Sequence, residues 1–232
     1  MMTIVDFVQL VDAGTKTIEA LVWPSLVLFF LIRFGPSIRS FVADLGEFSL
    51  KGAGVEASWK RQQAEAASNL VAAAISRPEA SATPDSTAKN ARAATDLVHD
   101  TVTPRLIRRA SRATILWVDD RPSNNVYERR SLEALGITFV LSTSTEDALA
   151  KLKEKSFDAI ISDMGRPPDP KAGYTLLDTL RAGGDKTPFI IYASSRDPEH
   201  QAESQRRGAL GCTNRADELF EMVLSALGQA GG

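Results

Sequence analysis

Two short apolar runs that each end in carboxylates constrain this chain more than any other feature. Residues 114–118 read Thr-Ile-Leu-Trp-Val and lead straight into Asp119 and Asp120, while residues 158–162, Asp-Ala-Ile-Ile-Ser, lead into Asp163. In an open α/β sheet, ligands bind outside the carboxyl ends of the strands. Two such strands side by side would put three carboxylates in one crevice, where their mutual repulsion calls for a cation. Hard oxygen donors suit Mg²⁺, which takes one or two carboxylates and keeps several waters. The chemistry this suggests is phosphoryl transfer onto a carboxylate. Acids that merely cap strand ends in solvent are the bland alternative, and convergence of three of them favours the metal.

The surrounding pattern supplies the sheet. Strands are predicted at 114–118, 137–141, 158–162, 188–192 and 210–213, with helices at about 123–135, 145–155, 173–182, 199–207 and 216–228. Thr145 is expected to open the second of these helices, with Glu146 and Asp147 charging its first turn. Strands alternating with helices of this length imply a parallel sheet covered on both faces, a doubly wound α/β domain.

Composition removes other classes. A net charge of −2 over 232 residues argues against bulk nucleic-acid binding. The single Cys212 excludes an internal disulfide, and with only His99 and His200 there is no zinc-ligand spacing. Phosphate-binding loops of the GxxxxGK[ST] and GxGxxG types are absent. Cys212 and Trp117, both on expected strands, read as core residues.

The first third differs in character. Residues 20–32 are uncharged and mostly apolar between Glu19 and Arg33. Thirteen residues fall short of the ~20 that span a bilayer. Trp23 as an interfacial anchor, Pro24 and the further apolar residues of 33–42 tip the reading toward a membrane anchor over a soluble packing helix. Positive charge follows this run (Arg33, Arg39, Lys51, Lys60, Arg61), so a single-pass anchor in an inner or plasma membrane would leave the C-terminal part in the cytoplasm. Residues 1–45 are therefore the anchor region. Residues 46–76 are read as a hairpin over 47–59 and a helix over 56–76 able to self-associate into a homodimer, and 77–113 as a linker. Arg105, Arg108, Arg109 and Arg112 read as a solvated basic face, with anionic lipid as the alternative.

From Thr114 to about Leu227 the sequence resembles the response-regulator receiver family. The resemblance rests on Asp119–Asp120 after the first strand, Asp163 after the third, the Gly-Ala-Leu-Gly turn (208–211) before the fifth, and the spacing throughout. It implies a five-stranded parallel flavodoxin-like fold in residues 114–232. It also implies that Asp163 accepts a phosphoryl group from a histidine kinase or phosphotransfer protein, as a phosphoacceptor rather than an enzyme. Mg²⁺ would be held by Asp119, Asp120, Asp163 and the backbone carbonyl of Gly165.

The sequence also departs from the family's pattern. The hydroxyl usual at the end of the fourth strand aligns with Ala193, leaving Ser194 as its source. The usual Lys aligns with Arg215, the following Pro with Ala216 and the aromatic switch position with Cys212. The loop 165–173 is long and carries three Pro. Metal and acceptor residues are retained while the readout positions are changed. The primary expectation is thus a membrane-anchored receiver in phosphorelay signalling that acts through protein interaction, with no output domain after Leu227 and no nucleic-acid partner. The alternative is a pseudo-receiver, a binding module that works without phosphorylation; a phosphate or nucleotide hydrolase ranks last for want of a nucleophile–base pair. His99 sits in a stretch (99–104) similar to the phosphoacceptor box of histidine kinases, but a plain exposed histidine is the favoured reading.

Overall fold

The computed structural model describes residues 53–76, 84–193 and 198–229. Residues 20–42, on which the membrane reading rests, lie outside the described residues, as does Ser194. Among the described residues no helix is long and apolar enough to cross a membrane.

All five expected strands form: β1 (Thr114–Val118), β2 (Thr138–Ser142), β3 (Ala159–Ser162), β4 (Phe189–Tyr192) and β5 (Gly211–Thr213). They pair in parallel in the order β2-β1-β3-β4-β5. The chain winds one way from β1 to β2 and the other way from β3 to β5, so the order reverses between β1 and β3. A crevice opens at such a reversal. Side chains alternate across the strands and each face has its own core. Leu116, Val118, Ile160 and Ile191 pack on one side, and Ile115, Trp117, Ile161 and Ile190 on the other.

The helices of this domain fall close to their expected positions. A 3₁₀ turn (Pro122–Asn125) opens the first, and five α-helices take the later numbers: α4 (Val126–Glu133), α5 (Thr145–Glu154), α6 (Ala172–Ala182), α7 (Pro198–Arg206) and α8 (Ala216–Gln229). The cap of α5 is Ser144 rather than Thr145: the Ser144 hydroxyl accepts from the Asp147 N–H at 3.1 Å. Thr145, inside the first turn, is left for another contact.

Upstream of β1 the structure departs from the expectation. Residues 53–59 are helical, not a hairpin, as part of α1 (Ala53–Ser76). The expected linker contains two helices, α2 (Pro84–Thr101) and α3 (Pro104–Ala110). The Thr103 hydroxyl caps α3 by accepting from Leu106 N at 3.2 Å, and Pro104 follows it at the first helical position. Ala66, Leu70 and Ala73 of α1 and Ala94 and Val98 of α2 are buried at helical spacing, in the same core as Trp117 and Phe220. Tertiary burial thus overrides a composition that reads as low-complexity. The Gln63 side-chain amide reaches from α1 to the carbonyls of Val98, His99 and Val102 at 3.3–3.4 Å, partnering the open end of α2. Arg105, Arg108 and Arg109 of α3 and Arg112 just after it line a cavity of about 400 Å³ together with Asp158, and Arg109 donates to the Gly228 carbonyl at 2.6 Å.

Candidate functional site

Val118 and Ser162 face each other at the ends of β1 and β3. The ladder runs one step further: Asp119 N–H donates to Ser142 O at 2.9 Å and Asp163 N–H to Val118 O at 3.0 Å. Two adjacent buried strands therefore determine where the acids emerge. Asp119, Asp120 and Asp163 come together, with one carboxylate oxygen of each lying within 4.8 Å of the others.

Each acid is held differently. Asp119 is buried, and its two oxygens accept from the Arg121 backbone N–H at 2.6 Å and from the Asn125 side-chain amide. Asp120 is more open, with the Arg121 guanidinium 3.8 Å away. One oxygen of Asp163 accepts from the Arg166 guanidinium. Burial pushes the Asp163 carboxyl from 3.8 up to about 6; Arg166 pulls it down, and the negative charges of Asp119 and Asp120 push it further up.

Sequence reasoning does not find Arg166. Its side chain is 3% exposed, and beyond Asp163 its guanidinium donates to the hydroxyls of Ser162 at 2.8 Å and Thr145 at 3.0 Å. Its Nε has no hydrogen-bond partner. The long loop is what delivers it. Arg166 and Asp169 exchange backbone hydrogen bonds at 3.0 and 2.7 Å across a turn that contains the cis bond Pro167–Pro168. The Asp169 carboxylate then ties the turn to α6 through Lys171 N–H at 2.7 Å and the Thr175 hydroxyl at 2.6 Å. An Arg beside Gly165 in a Pro-rich insertion is the signal available in the sequence. Its partner Thr145, 21 residues away, is not.

Gly173 closes the other end of the loop. Its N–H donates to Met164 O at 2.9 Å, and a Cβ there would stand 2.4 Å from the Asp163 carbonyl oxygen. Only glycine allows α6 to start this close to the end of β3. Gly165 lies in the same loop, with its Cβ position 3.1 Å from Pro170 O.

The remaining candidates sit apart from this cluster of contacts. Arg215 pairs with Asp217 at 2.9 Å and Glu218 at 3.4 Å at the start of α8. Ala193, just past β4, and Cys212, on β5, are buried in the core shared with Leu116 and Val118. Burial pushes the Cys212 thiol above its usual range. His99 is exposed on α2, with Asp100 3.6 Å away.

A set of three carboxylates, all oxygen and within 4.8 Å, fits a hard divalent cation such as Mg²⁺. Residues 115–222 match the model of the response regulator receiver domain family. Over 114 residues the chain is 32% identical to the virulence sensor protein BvgS of Bordetella pertussis; the match covers 47% of this chain and 9% of the length of BvgS. Two similar solved structures are the receiver domain of the Francisella response regulator 1452 and the response regulator TrrA of Thermotoga maritima, the latter in complex with Mg²⁺ and BeF. The first is 23% identical over 50% of this chain and 98% of its own, with a TM-score of 0.47. The second is 22% identical over 49% and 98%, with a TM-score of 0.43.

Proposed function

With residues 115–222 a response regulator receiver domain, we propose that the chain accepts a phosphoryl group on Asp163 in a two-component phosphorelay. The observation that carries this reading is the convergence of Asp119, Asp120 and Asp163 where the sheet order reverses. The donor is a phosphohistidine on a histidine kinase or phosphotransfer protein. A carboxylate oxygen of Asp163 attacks phosphorus, a P–O bond forms, the P–N bond breaks, and the imidazole leaves with a proton from solvent. One Asp163 oxygen already carries the Arg166 hydrogen bond, so the other is the nucleophile. Asn125 and the Arg121 backbone hold Asp119 still through the transfer.

Mg²⁺ would be held by Asp119, Asp120, Asp163 and the Gly165 carbonyl, and bound there it supplies charge neutralisation for the transferring phosphoryl oxygens. The domain is a phosphoacceptor and does not turn over substrate. Arg215 and the hydroxyl of Ser194 are the proposed phosphoryl contacts from the β4–β5 side. Output is through protein contacts, and residues 20–42 tether the chain to a membrane with the receiver domain in the cytoplasm.

The test is incubation of the full chain with phosphoramidate and Mg²⁺, followed by intact-mass measurement. A single added phosphoryl group, absent in Asp163→Asn, is the expected result. No adduct on the folded wild-type chain sinks the reading. It would leave the second one: a binding module that works without phosphorylation. That alternative is favoured by the apolar Ala193 and Cys212 at the readout positions. For the tether, the chain is expected in the membrane fraction and resistant to a salt wash; release by salt would overturn it.

A further inference from the structure

We propose that Arg166 is a resident counter-cation of the acidic pocket, one that a divalent cation must work against or displace when it binds. This rests on the metal-binding reading above and adds a regulatory element to it. Three carboxylates stand together with one buried guanidinium in contact with Asp163. An incoming Mg²⁺ is drawn by the acids and repelled by Arg166, and one of the two Asp163 oxygens is already held by Arg166.

The placement of Arg166 is built, not incidental. Its backbone is pinned by the turn with Asp169, and its side chain is gripped at three points by Thr145, Ser162 and Asp163. A surface arginine that strayed into the pocket would show neither the turn nor the burial. The planar fork matters because two nitrogens serve different partners: Nη1 holds Ser162 and Asp163, and Nη2 holds Thr145. The Nε has no partner and is buried, so the guanidinium keeps one donor uncommitted when it shifts. Metal affinity in this pocket is therefore set partly by how firmly Thr145 anchors Arg166.

The experiment is a calorimetric titration of MgCl₂ into the full chain and three variants, with thermal unfolding followed in parallel. Arg166→Gln is expected to bind Mg²⁺ at least tenfold more tightly than wild type. Thr145→Val, which removes only the anchor, is expected to shift in the same direction by a smaller factor. Arg166→Lys, which keeps the charge without the fork, is expected between wild type and Arg166→Gln. In the wild-type protein, the Arg166 Nε–H resonance is expected to shift as Mg²⁺ is added. Unchanged or weaker Mg²⁺ binding in Arg166→Gln, with an altered melting temperature, makes Arg166 a structural pin of the loop and overturns the inference. If Arg166→Gln does not fold, Thr145→Val and the Nε–H resonance decide the matter: no change in either overturns it. Absence of Mg²⁺ binding in wild type and every folded variant is a different result, because it removes the metal-binding reading itself.

Discussion

The tips of β1 and β3 and the tips of β4 and β5 lie along the same edge of one sheet, yet only the first pair runs into carboxylates among the described residues. At β1 and β3 the chain ends in carboxylates, two of them held by hydrogen-bond donors: Arg121 N–H and Asn125 on Asp119, Arg166 on Asp163. Past β4 comes Ala193, buried in one core with Cys212 of β5, while Tyr192 turns to the opposite face and donates to the buried Glu128 at 2.9 Å. β5 itself ends in Thr213, whose hydroxyl accepts from the Arg215 N–H at 3.0 Å and donates to Glu218. The charged group at the start of α8, Arg215, is paired along its own helix. The cation in contact with Asp163 comes instead from the β3 loop. Carboxylates and a buried guanidinium are thus concentrated at one pair of tips, while the other pair carries the apolar Ala193 and Cys212 beside the bonded hydroxyl of Thr213.

The largest test of that contrast is pH. Burial raises the Asp163 carboxyl to about 6. The native state then holds a proton that the unfolded chain has already released, so stability falls as pH rises from about 4 to about 6. The full shift corresponds to at most about 3 kcal/mol. Chemical denaturation of the metal-free protein across this range is expected to show the decline, and Asp163→Asn or saturating Mg²⁺ to flatten it. A profile that is flat without metal would mean the acid end is no more enclosed than the surface.

Next in size is Gly173→Ala, which places a methyl against the Asp163 carbonyl. Destabilisation by about 1–3 kcal/mol is expected from the forced shift, measured by urea unfolding. Loss of Mg²⁺ binding should accompany it, since the end of β3 must move. Ala193→Thr is the matched change at the other tip: it should leave Mg²⁺ affinity within about twofold if the two ends are independent, a difference below the ~1.4 kcal/mol of a tenfold change. A tenfold change there would join the two ends again. The smallest effect concerns Cys212, whose buried thiol should resist iodoacetamide at neutral pH and react only on unfolding. Labelling of the native protein would show that the β5 tip opens.

Much of this architecture was legible because its signals are local. An apolar run followed by acids is a contiguous string, so Asp119, Asp120 and Asp163 could be placed before any fold was known. Helix caps one residue apart are harder: Ser144 and Thr145 are both good caps, and the choice was made by Arg166, which takes the Thr145 hydroxyl. Arg166 itself was hidden for the same reason, because its role exists only once β2, β3 and their loops are brought together. Helices α2 and α3 carried their own marks in Pro84, Thr103–Pro104 and the Ala94–Val98 spacing. An Ala-, Ser- and Thr-rich composition outweighed those marks until burial against α1 and the sheet supplied the missing energy.

Gln63 and the apolar stripe of Ala66, Leu70 and Ala73 give α1 a mechanical meaning. They knit it to the end of α2 and into the core that contains Trp117. Amide protons along this part of α1 should then exchange with solvent in step with those of α8 and the β1 strand, as one cooperative block. A twist delivered to this helix would load the floor of the sheet directly, and the acidic crevice stands at the far end of the same strand.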